Sequence, residues 1–218
     1  MTNDATAEIE FRISRAWCTF SCYRDFLCTR RIPFAKRVAA LHRTVVPTLL
    51  HGIGTLNMTQ RHMARLRATE NHMMRLMLRK RSDLPAAQDP LDIDPAEDYM
   101  SLTNSLLNTL RTKHNWERWD CMALARVHTW AGHLARFREY APQRWALRTL
   151  LFKGIHYLRV LEKAIGTQGH PHRFRVWRWE QQFTRWYGDS WMDQAQDQEA
   201  WADTRTAWLR GRHNWQKQ

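Results

Sequence analysis

Apolar residues recur every three, four or seven positions along most of the chain, the spacing of one buried helical face. Ile9, Ile13, Trp17, Phe20 and Leu27 predict a first helix, preceded by a disordered tail over 1–8 and broken at Pro33 within "RRIPFAKR". Val38, Leu41, Val45 and Leu49 predict a second, strained or kinked at Pro47 and finished near Gly52 and Gly54. Thr59 is placed to cap a third, along which Met63, Leu66, Met73 and Met77 form a stripe. Beyond residue 95 the pattern resumes with a helix near Ala96–Lys113. A longer one follows, on which Trp116, Trp119, Ala123, Val127, Trp130, Leu134 and Phe137 hold a near-heptad stripe. Two amphipathic pieces at 142–153 and 155–165 lead to "GTQGHPH", a turn by composition. Short Trp-anchored helices close the chain, with Asp189 or Ser190 placed to cap the last. Strand-like alternation is confined to a short piece at "RFRVWRW". The predicted fold class is mostly α.

One glycine interrupts this pattern informatively. Gly132 lies inside "VHTWAGHLARF", where a helix-interior glycine costs roughly 1 kcal/mol relative to alanine. Its neighbours on the apolar stripe predict a point where another helix crosses closely.

Charge divides the chain more sharply than hydropathy does. The total is +13, but residues 1–80 carry +9, 81–109 carry −5, 110–188 carry +10 and 189–218 carry −1. The acidic stretch also holds Pro85, Pro90 and Pro95, and proline restricts both itself and the residue before it. An acidic, Pro-rich linker over 82–95 is therefore expected between a basic helical domain, 9–81, and a Trp-rich helical domain, 96–218. So large a basic excess points first to nucleic acid. Arginine, which grips phosphate bidentately, supplies most of it. The candidate contacts are Arg30, Arg31, Lys36 and Arg37 at the Pro33 break and Arg61, Arg65, Arg75 and Arg79 along the third helix, with Arg136, Arg173 and Arg175 further on. The first two rows either line one groove or are separate solvated faces. The twelve Trp either fill a core or offer stacking faces.

Other chemistry is thinly represented. No apolar run is long enough to span a membrane, and the start has no secretory pattern, so an intracellular chain with no membrane partner is expected. Cys18, Cys22 and Cys28 string along one helix, an arrangement that does not readily converge on one zinc ion. His170 and His172 flank a proline in a surface turn. No serine elbow, phosphate-cradling glycine loop or Cys–His pair is evident.

The order of features resembles one known family. "RRIPFAKRVAALHRTVVPTLLHGIGTLNMT" followed by "LRATENHMMRLML" is similar to the region just after the catalytic palm in reverse transcriptases of non-LTR (LINE-type) retrotransposons. Val45, Pro47, Leu49, Leu50 and Gly52 match one element; Met73, Arg75, Met77 and Leu78 match the next. Trp130, Gly132, His133, Ala135 and Arg136 match a "W-x-G-H-x-A-R" element, and Trp191, Ala195, Asp197 and Trp201 match the C-terminal one. His51, Leu56 and Gln198 depart from the family pattern, which has Tyr, Trp and Arg there. The resemblance covers most of residues 9–212. It implies a thumb-like helical domain with a C-terminal extension, gripping a template–primer duplex (RNA–DNA or DNA) beside a palm-and-fingers partner. The family is an RNA-directed DNA polymerase, and its divalent metal belongs to palm aspartates that this chain lacks. Asp92 and Asp94 stand in the acidic loop without the strands such a site needs. The expectation is a non-catalytic nucleic-acid-binding chain with no cofactor of its own. The alternative is a helical protein-interaction module, or a remnant without function.

Overall fold

The computed structural model describes residues 5–78, 95–136 and 179–214. Nine α-helices and one short 3-10 turn make up the regular structure of these residues, with no strand among them, so the chain is mostly α. In order they are α1 (Ala5–Cys22), α2 (Arg24–Leu27), α3 (Phe34–Leu50), α4 (Gln60–Leu78), α5 (Pro95–His114), α6 (Trp119–Ala135), α7 (Gln181–Tyr187), α8 (Trp191–Gln194) and α9 (Gln198–Asn214), with the 3-10 turn at Ile53–Thr55. The expectations for 142–153, 155–165, the "GTQGHPH" turn and nearly all of the acidic linker fall outside the described residues.

Two compact units emerge, and they are not the two basic blocks. The first comprises 1–51 and 59–122; the second comprises 52–58 and 123–218. Helix α5 and the first turn of α6 thus belong with the N-terminal helices.

In the first unit, α1 begins at Ala5, earlier than the expected tail allowed. Glu8 in its first turn pairs with Arg12 one turn on, at 2.6 Å, and favours the positive end of the helix. Ile9, Ile13, Ala16 and Phe20 form its buried stripe. Helix α3 continues through Pro47, whose ring is exposed; Val38, Leu41, Val45 and Leu49 are buried as their spacing requires. Thr59 caps α4 as expected, its Oγ1 accepting from the His62 N–H at 3.4 Å. His62 Nδ1 accepts in return from the Thr59 N–H at 3.3 Å, a capping box with imidazole in place of carboxylate. That role leaves Nε2 carrying the proton, 3.1 Å from Thr6 Oγ1 on α1. The methionine stripe of α4 is fully buried.

Buried carboxylates secure the start of α6. Glu70 Oε2 accepts from the Trp119 N–H at 3.1 Å, and Glu70 Oε1 lies 3.1 Å from Arg111 on α5. Burial pushes the Glu70 carboxyl above its ordinary range, opposed chiefly by Arg111. Asp120, fully buried, is clasped bidentately by Arg118 at 3.1 and 3.0 Å and lies 3.5 Å from Arg67. Two carboxylates thus sit at the positive end of the α6 dipole. The helix begins only at Trp119; Trp116 stands in the preceding turn, so the stripe expected from it starts one turn later.

The core of the second unit is built from indoles. Trp179, Trp191, Trp201 and Trp208 are all buried, around Phe183. Gly132 provides the seat for Trp201: a Cβ at that position would clash with Cδ1 and Nε1 of the indole. The same indole donates from Nε1 to the His128 carbonyl at 3.1 Å and stacks on the His128 ring, centroids 4.4 Å apart and 13° from parallel. The crossing expected at Gly132 is therefore made, and α9 makes it. Asp197 caps α9, its Oδ1 accepting from the Glu199 and Ala200 N–H groups at 3.0 and 3.1 Å. The expected cap at Asp189 or Ser190 is displaced because Ser190 precedes the separate one-turn α8 and makes no side-chain cap bond. Arg212 donates to the Met58 carbonyl at 2.7 Å and Trp179 to that of Gly54 at 3.0 Å, tying in the 52–58 segment.

His128 is 1% exposed, with Nε2 3.0 Å from the Tyr187 hydroxyl, which itself donates to Thr204 Oγ1 at 3.0 Å. Burial, and secondarily Arg205, depress its pKa to about 4.

Two outcomes follow for stability. Gly132→Ala should destabilise the fold by about 1–3 kcal/mol through overpacking against Trp201, although alanine favours an open helix by about 1 kcal/mol; urea unfolding measures it. Neutral His128 is the native form, so its contribution is complete above about pH 6.5, where the unfolded ring titrates. Stability should fall as pH drops from there towards about 4 and then level, for a total of roughly 3 kcal/mol from this group. His128→Phe should flatten that part of the pH–stability curve; an unchanged slope would refute the assignment.

Candidate nucleic-acid interface

The cations proposed from the sequence fall into three physical situations. Arg30, Arg31 and Lys36 are exposed, around the break that Pro33 makes between α2 and α3. Arg61 is exposed on the first turn of α4. Arg65, one turn on, is also exposed but held bidentately by Glu10 of α1 at 2.8 and 3.0 Å. That bond holds the Glu10 carboxyl below its ordinary range and offsets part of the local positive field.

Arg37 corrects the sequence expectation. It is 6% exposed, and its guanidinium donates to the carbonyls of Ile32 (3.0 Å), Leu27 (3.0 Å) and Met77 (2.6 Å). Leu27 and Met77 lie at the C-terminal ends of α2 and α4, where helical carbonyls have no partner within the helix. Arg37 therefore caps two helix ends rather than meeting phosphate. Arg75 is half-buried and donates to Asn104 Oδ1 at 3.2 Å. In the second unit, half-buried Arg136 donates to the Ala195 carbonyl at 2.9 Å. Arg79, Arg173 and Arg175 lie outside the described residues.

The bond from Arg37 to Met77 also fixes the layout of the surface charges. It places the start of α3, with Lys36, at the C-terminal end of α4. Arg61 stands at the other end, sixteen residues earlier in the same helix. At 1.5 Å per residue that is about 24 Å along the axis. Lys36 and Arg61 therefore do not converge on one small ligand. About 24 Å corresponds to roughly seven base-pair steps of duplex.

No family model matches the sequence, and no curated protein or solved structure matches it.

The remaining candidates take plainer roles. Among the described residues no three His, Cys, Asp or Glu side chains gather as metal ligands. Cys18 and Cys22 are exposed, while Cys28 and Cys121 are half-buried. Burial and the neighbouring Asp120 push the Cys121 thiol up to about 11, which keeps it protonated and unreactive. No helix among the described residues is long and apolar enough to cross a membrane. Lys113, exposed beside the turn that brings Trp116 against Phe34, was not among the cations expected from the sequence. Nothing local in either segment signals that meeting.

The adjacent pair Lys36 and Arg37 separates surface charge from structural charge. Arg37→Ala should lower stability by about 2–4 kcal/mol, because three carbonyls lose one charged donor. Lys36→Ala should remain within roughly 0.5 kcal/mol of the parent. Thermal unfolding of the two variants tests the assignment, and equal destabilisation would refute it.

Proposed function

We propose that this chain is a non-catalytic nucleic-acid-binding segment of the kind its resemblance implies: the thumb and C-terminal region of a non-LTR retrotransposon reverse transcriptase. In this reading it holds a template–primer duplex, RNA–DNA or DNA, by its backbone for a palm carried elsewhere. The observation that carries the reading is the distribution of exposed cations on the first unit, at both ends of α4, about 24 Å apart. A +13 chain whose exposed charge is spread over that length suits a long, regular polyanion better than a small anion. Contacts of this kind are backbone contacts, so binding should tolerate changes of base sequence.

The protein-interaction alternative relied on a Trp-rich docking face. Of the described indoles of the second unit, Trp179, Trp191, Trp201 and Trp208 are core, Trp130 is half-buried and Trp186 is 39% exposed, which gives that reading little to stand on.

The test is duplex affinity of the whole chain across salt concentrations. With Arg30, Arg31, Lys36 and Arg61 engaged, log Kd plotted against log salt should have a slope magnitude of about 3–4. Lys36→Gln and Arg61→Gln should each reduce it by about one. A flat plot overturns the proposal.

A further inference from the structure

The turn joining α5 to α6 has no part in the duplex contacts above, yet it is built with unusual care. Phe34 and Trp116, far apart in sequence, meet edge to face with ring centroids 5.8 Å apart and planes at 65°. Trp116 stacks on His114, centroids 4.7 Å apart and planes within 16°. Beneath Phe34 lies the Arg37 guanidinium, 5.2 Å from the ring centroid and itself fixed by three carbonyls. The four groups form one column, Arg37–Phe34–Trp116–His114, with a buried foot and an exposed top.

Asn115, between the two stacked rings, holds φ +50°, the left-handed region that asparagine tolerates better than most residues. That reversal of the backbone accompanies the near-parallel setting of side chains only two positions apart. Three exposed cations stand near these rings in the chain: Lys113 next to His114, Lys36 on the first turn of α3 and Arg31 in the loop before it. Glu117 is the one exposed acidic residue of the turn.

A duplex conceals the faces of its bases except at its ends, whereas an unpaired base offers one freely. We infer that the His114–Trp116 column is a stacking site for an unpaired nucleotide of single-stranded nucleic acid, with Lys36, Lys113 and Arg31 meeting the flanking phosphates. The inference rests on the nucleic-acid reading above and adds a second mode to it. An acidic peptide would use the cations but not the flat ring. A lipid surface would need contiguous apolar side chains, and Lys113, Asn115 and Glu117 interrupt them here.

The experiment measures anisotropy of a labelled single strand of about a dozen nucleotides and of the matching duplex, with the whole chain. His114→Ala should weaken single-strand binding about tenfold and leave duplex affinity within about twofold. His114→Phe, which keeps a flat ring, should retain most of the single-strand affinity. A strand carrying abasic sites should bind the parent and His114→Ala alike. Equal loss on both probes, no loss from His114→Ala, or competition by polyglutamate as strong as by the strand overturns the stacking site. If duplex binding keeps its salt dependence in those cases, the site alone has failed. Absence of binding to either probe overturns the nucleic-acid reading itself.

Discussion

Helix ends expose carbonyls that the helix itself cannot bond, and the first unit meets that constraint with one side chain. The Arg37 guanidinium reaches the ends of α2 and α4 and the loop entering α3. A planar fork of donors can face three carbonyls at once, which an ammonium on a flexible stem does less well. Because the charge is that of a cation at two negative helix ends, the bonds are stronger than neutral ones. The same fixed group lies under Phe34, so the aromatic column above it inherits a rigid base. The positions of Lys36 and Arg61 relative to each other also follow from this joint.

The second unit is held in a different way. Its packing depends on large flat side chains lying against backbone that carries little or no side chain. Trp201 is located by three independent contacts, the ring of His128, the carbonyl of His128 and the bare Cα of Gly132. The buried polar atoms nearby are joined in series, from His128 through Tyr187 and Thr204 to the Trp201 carbonyl. Such a chain leaves no hydroxyl stranded, which is the condition for burying it.

Features set by neighbours in sequence were legible, and those set by distant partners were not. Thr59 and the methionine stripe of α4 depend on one helix and its cap, and both are where the periodicity puts them. Lys36 and Arg37 look alike in a sequence, but only tertiary contacts decide that one is in water and the other under three carbonyls. Trp116 fits the stripe of α6 by spacing. Yet the left-handed turn at Asn115 and the Glu70 cap at Trp119 start the helix later. The division at the acidic linker followed local charge, whereas the pairing of Arg111 with Glu70 assigns α5 to the N-terminal helices. Gly132 was readable as a crossing point, but its partner, sixty-nine residues away, carried no signal of the match.

Glycine and tryptophan recur as complements in this chain. Gly132 receives Trp201, Gly211 receives Trp186, and Gly54 lies against Trp130. Each pair is one steric decision written at two distant positions. A lineage that enlarged residue 132 could keep the helices packed only by trimming residue 201. The two columns would therefore change together among descendants of this sequence, and each would look intolerant when altered alone. At these three places the tryptophan and the glycine are thus one steric property rather than two.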